Sequence, residues 1–158
     1  PKIFKKLRLP LNSKMRFVKK MVKLHLRPIA LAKDTVTDSA IRRLLFEAGE
    51  DTEKLMKLCD ADITSKNPIK VKSFLNNFKL VRRKLIEVEE KDKIRNFQPP
   101  LNGLEIMEIF NISAGRKIGI LKDALKEAIL DGKIKNDRKE AEDFIIKKGS
   151  EIGLKHRK

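Results

Sequence analysis

Apolar residues recur every three or four positions along almost all of this chain, the period of an amphipathic helix. Met15, Val18, Met21, Val22 and His25 share one helix face, and Pro28 is expected to stop that helix. Thr35 or Thr37 can cap the next helix, whose stripe Ile41, Leu44, Leu45 and Ala48 runs into Gly49. Asp51 can cap a third, with Leu55, Leu58, Cys59 and Asp62 on one face. Pro68 suits a first helical turn, and Val71, Phe74, Leu75, Phe78, Val81, Leu85 and Val88 then mark an amphipathic helix of about 28 residues. The stretch NFQPPLNG, residues 96–103, breaks the pattern with two prolines and a glycine. Beyond it the periodicity predicts a short helix from Leu104 to Phe110, a second opened by NISAGRKIGILKDAL, and a last one starting near Asp137. Asp137 followed by Glu140 has the spacing of a capping box, and the final KHRK reads as a frayed basic tail. No strand-length run alternates apolar and polar residues. The expected fold is therefore all-α: a helical bundle in two lobes, 1–97 and 98–158, joined at the proline-rich break.

Charge adds what periodicity leaves out. The 158 residues are 41% hydrophobic and 38% charged, which suits a globular chain with a highly charged surface rather than a disordered one. Thirty-eight Lys and Arg against 22 Asp and Glu leave a net charge of +16. The excess is uneven, since residues 1–33 hold eleven cations and no acid. A one-sided block of this kind predicts a polyanionic partner. Nucleic acid is expected over an anionic membrane, because no aromatic or Leu face accompanies the charge. No apolar run approaches the roughly 20 residues of a membrane span, and no secretory signal is recognised. The single cysteine, Cys59, excludes an internal disulfide and suits a reducing cytoplasm. The chain begins at proline without Met and is expected to be part of a longer protein.

Catalytic signatures are missing: there is no GxxxxGKS or GxxxxGKT loop, no HExxH, no paired CxxC and no GxSxG. With only two histidines, neither a complete metal site nor a nucleophilic triad is expected within the chain. His25 and Asp62 nonetheless fall on apolar stripes, where an unpaired charge costs several kcal/mol. Two readings stand: a buried hydrogen-bonded pair that orients two helices, or part of a metal-type cluster whose other ligands lie upstream. NISAGRKIGILKDAL also has two readings. Ser113 could cap a helix whose first turn, Ala114, Gly115 and Arg116, presents free amides and the positive dipole end to a phosphate, with Arg116 and Lys117 as mobile cations. Alternatively Gly119 is a helix-packing contact and the cations decorate a solvated surface. On the long helix, Lys79, Arg82 and Arg83 form a second cluster able to meet a phosphate backbone. With eight Phe and no Tyr or Trp, shape and phosphate reading of a structured RNA is expected over base stacking.

Three segments together, HLRPIALAKDTVTDSAIRRLLFEAGED, LCDADITSKN and PPLNGLEIMEIFNISAGRKIGILKDALKEAILDGKIKN, resemble the C-terminal half of bacterial CCA-adding tRNA nucleotidyltransferases. These belong to the class II poly(A) polymerase family, in its HD-domain-containing branch. The resemblance covers essentially the whole chain and is most specific from Leu101 to Asn136. It implies a partial HD-like or body domain over 1–97 and a tail-like RNA-binding domain over 98–158. It also implies tRNA as partner, with Ala114, Gly115, Arg116 and Lys117, then Lys79, Arg82 and Arg83, as contacts. Nucleotide transfer in that family occurs in an N-terminal head using Mg²⁺, CTP and ATP. The head's paired carboxylates have no counterpart here, so this chain alone is expected to be inactive and to hold no cofactor. The resemblance places Asp62 where HD domains supply their last metal-binding aspartate and His25 near a distal histidine. Ala114 stands where relatives often have proline. The alternatives are a stand-alone, non-catalytic RNA-binding module and a fragment of an HD phosphohydrolase.

Overall fold

The computed structural model describes residues 2–31 and 36–156. Among them the chain is all-α, with nine α-helices and no strand. It divides into two compact units, the first running to Arg95 and the second starting at Asn96.

The first unit holds α1 (Lys2–Lys6), α2 (Ser13–Leu24), α3 (Leu26–Leu31), α4 (Asp38–Ala48), α5 (Thr52–Ala61) and α6 (Pro68–Asp92). Its core is built from α4, α5 and α6, where Ile41, Leu44, Leu45, Leu55, Met56, Cys59, Phe78 and Val81 are fully buried. Local chemistry sets most of the ends. Thr37 accepts from the Ala40 amide at 3.3 Å to start α4, while Thr35 lies outside the described residues. The Asn67 side chain accepts from Ile69 and Lys70 ahead of Pro68, whose missing amide costs nothing in a first turn. Two ion pairs tie α6 to its neighbours: Arg42 with Asp92 at 2.7 Å, and Arg82 with Asp60.

Several sequence expectations for this unit need correction. Pro28 does not stop a helix; it lies in the first turn of α3, and the preceding helix ends at Leu24. The buried face of α2 and α3 carries Met21, Leu24 and Pro28, whereas Val18 and Val22 are exposed. On α5, Met56 is buried, Leu58 is exposed, and Asp62 is the exposed cap residue beyond the helix end. Asp51 precedes α5 without capping it by its side chain, which is held by Lys20 and Lys54 at 3.1 Å each. The long helix α6 runs 25 residues, and Lys93 closes it in the left-handed conformation.

The second unit holds α7 (Gly103–Phe110), α8 (Arg116–Leu130) and α9 (Arg138–Glu151) around buried Ile106, Leu121, Leu125, Ala141 and Ile145. A complete capping box opens α7: Asn102 accepts from Leu104 and Glu105 amides at 2.8 and 3.1 Å, and Glu105 accepts from the Asn102 amide at 2.8 Å. At α9 only half of the expected box forms. Asp137 accepts from the Glu140 amide at 3.1 Å, but the Glu140 carboxylate turns to the Lys135 amide at 2.7 Å. Arg138 and Glu105, 2.6 Å apart, join α9 to the start of α7. Hydrogen bonding from the Asn102 amide, and then from Arg138, favours the charged form and holds the Glu105 carboxyl below its ordinary range. The expected KHRK tail lies partly outside the described residues; Lys155 and His156 follow α9 without regular structure.

Candidate nucleic-acid interface

The start of α8 differs from its expected form by two residues. α7 ends at Phe110 and Asn111 turns the chain in the left-handed conformation, so residues 112–115 form the connection. Gly115 is the cap residue, in extended backbone, and no side chain caps the helix; Ser113 does not take that role. Ala114 and Gly115 therefore lie before the helix, and their amides are not those of its first turn. Arg116 and Lys117 supply the first helical amides, while the Ile118 amide turns back to the Gly115 carbonyl at 3.1 Å. The physical consequence is a helix whose positive end is uncapped and has no acid in its first turn.

All four expected residues here, Ala114, Gly115, Arg116 and Lys117, are exposed, and Ile118 is the first to turn into the core. Cationic side chains and free amides thus occupy the same patch, the arrangement that accepts a phosphate. Gly119 is not a packing residue. It is exposed, and a Cβ built on it meets nothing within 4 Å. One turn further on the same face, exposed Lys122 adds a cation that the sequence reading missed. The signal for it was its place three residues after Gly119.

The cluster on α6 is brought together only in part. Arg82 is committed to Asp60, and Arg83 lies 3.6 Å from Glu87 on its own helix. Lys79 is exposed and faces an open groove of about 590 Å³ between α6 and the loop before it. Lys66 and Lys72 also line that groove, and its floor includes Val71 and Leu75. The basic surface on α6 is therefore centred one to two turns earlier than Arg82 and Arg83.

His25 and Asp62 do not form the buried hydrogen-bonded pair that is one of the two readings for them. His25 ends α2, with Nδ1 2.8 Å from the Val22 carbonyl, and its own carbonyl accepts from the Cys59 thiol at 3.1 Å. Asp62 is exposed, so there is no buried charge to compensate. Among the described residues no three His, Cys, Asp or Glu side chains cluster to hold a metal. By themselves the described residues supply no complete ligand set for an HD-type metal or for the Mg²⁺ of a nucleotidyltransferase. Burial pushes the Cys59 thiol up to about 11, which makes it a core residue rather than a nucleophile. No described helix is long and apolar enough to cross a membrane. Compared with known proteins, the chain matches no family model, no curated protein and no solved structure.

Proposed function

We propose that this chain binds structured RNA through its phosphates, as the tRNA-holding C-terminal part of a CCA-adding nucleotidyltransferase of the class II poly(A) polymerase family. The observation that carries the RNA-binding part is the uncapped start of α8, where exposed Arg116 and Lys117 stand beside free amides with no carboxylate in the turn. The net charge of +16 and the acid-free first 33 residues support a polyanionic partner independently of that site. The narrower assignment to a CCA-adding enzyme rests on the sequence resemblance, most specific from Leu101 to Asn136. In this reading nucleotide transfer, with its Mg²⁺, CTP and ATP, belongs to a separate head domain, and this chain positions the tRNA. Cytoplasmic residence belongs to the same reading.

Titration of the chain with tRNA at increasing salt tests it. Each phosphate engaged contributes a slope of roughly −0.7 to −0.9 in the logarithm of the association constant against log salt, so several contacts give a steep loss. Reversing Arg116 and Lys117 to Glu should weaken tRNA binding by about tenfold or more while the Tm moves by a few degrees at most. A flat salt response, or a stability loss as large as the binding loss, would falsify the phosphate grip at α8.

A further inference from the structure

A second acid-free stretch follows the one at the start of the chain: residues 63–86 hold seven cations and no Asp or Glu. Along α6 these cations fall into two groups. Arg82 pairs with Asp60, Arg83 lies 3.6 Å from Glu87, and Lys84 lies 3.3 Å from Glu87, so each has a carboxylate. Lys66, Lys72 and Lys79, which line the groove beside α6, are exposed and pair with no described residue. Lys72 and Lys79 stand two turns apart on one face, about 10 Å along the axis, with Leu75 between them. Lys66 enters the groove from the loop before the helix. The one carboxylate in the lining, Asp60, is already neutralised by Arg82. Three like charges thus converge on one concavity with no protein carboxylate left to balance them.

We infer that this groove holds the sugar-phosphate backbone of one RNA strand, with phosphates on Lys66, Lys72 and Lys79 and the bases turned outward. The inference rests on the RNA-binding reading and adds to it a contact on the first unit, distinct from the start of α8. Lysine ammoniums hold phosphates as point charges, and a row of them along a helix suits a ligand whose charge repeats along its length. Val71 and Leu75 offer an apolar surface to the sugars. They give a base nothing to stack on, since no aromatic side chain lines the groove among the described residues. Backbone contact of this kind carries no sequence preference. An acidic peptide is the poorer occupant, because the bidentate fork of arginine suits carboxylates best and the groove's one arginine is already engaged by Asp60. A bilayer is poorer still, since its headgroup plane meets flat or convex faces rather than a groove.

The test uses the full chain, with tRNA affinity measured by fluorescence anisotropy between about 50 and 200 mM salt. Lys66→Gln, Lys72→Gln and Lys79→Gln should each lower the magnitude of the salt slope by about 0.7–0.9, and the triple variant by about 2 or more. Arg83→Gln, outside the groove and beside Glu87, should leave the slope unchanged. Melting by circular dichroism should not fall in the triple variant, because none of the three lysines has an ion-pair partner to lose. A steep slope that persists undiminished in the triple variant overturns the groove contact and leaves the grip at α8 standing. A flat slope in the parent chain overturns the RNA reading and the groove with it. A loss in Arg83→Gln as large as in the lysine variants shows a diffuse effect of net charge and also overturns the inference. So does binding of a polyglutamate peptide that the triple variant loses while keeping its tRNA affinity, which assigns the groove to an acidic polypeptide.

Discussion

At the scale of single residues, two glycines show how neighbours decide what a residue type means. Gly119 and Gly149 both lie within helices, where glycine costs about 1 kcal/mol relative to alanine. At Gly119 a Cβ meets nothing within 4 Å, so Gly119→Ala should raise stability by up to about 1 kcal/mol, or a few degrees in Tm. At Gly149 the same Cβ would lie 2.1 Å from the ring of Phe110, which is itself buried. Gly149→Ala should therefore destabilise the protein by about 2 kcal/mol despite the better helix propensity. Thermal melting of the two variants should move in opposite directions; a stabilised Gly149→Ala would show that the Phe110 ring yields freely. The sequence reading gave the packing role to Gly119. No local signal distinguishes the two, because the contact that fixes Gly149 comes from a residue 39 positions away.

Helix by helix, starts were legible where the capping side chain meets its own next turn. Thr37, Asn67, Asn102 and Asp137 each accept from amides two or three residues ahead. Asp51 had the same look, yet its carboxylate is taken by Lys20, which also donates to the Ala48 carbonyl and comes from a different helix. Hydrogen bonding to Lys20 and then Lys54 holds the Asp51 carboxyl below its ordinary value. A carboxyl depressed by folding stabilises above its unfolded value, about 3.9, and loses that contribution as pH falls through the folded value. Asp51→Asn should cost about 1 kcal/mol at pH 7, screening included, and the difference from the parent protein should shrink as the pH falls through the lowered folded value. A cost that persists undiminished at low pH would show the effect to be steric. The start of α8 was misplaced by two residues for a related reason. Ser113 offers a capping hydroxyl, but the connection that follows left-handed Asn111 runs on to Gly115, itself extended, before the helix begins.

At the scale of the whole molecule, charge acts in two opposite directions. A net charge of +16 repels itself in the folded chain, so added salt should raise the Tm of the free protein. The same salt should weaken tRNA binding through counterion release. Measured together between about 50 and 200 mM salt, the two should diverge; a Tm that falls with salt would mean that ion pairs such as Arg42 with Asp92 outweigh the repulsion.

What could be read from residue order alone was whatever depends on neighbours within a helical turn or two. That covers the all-helical class, most helix positions, the break near Pro99 and Pro100, and the excess of cation at the start of the chain. Tertiary structure decided which flank of an amphipathic helix is covered and which cations are already paired. Val18 and Val22 share a periodic face with Met21, but packing takes only Met21. Lys79 and Arg82 look equivalent in sequence and both line the groove, yet Asp60, 22 residues before Arg82, pairs with Arg82. Periodicity fixes a direction around one helix axis. Burial and ion pairing depend on which other segments arrive there, and that is set by contacts far apart in the chain.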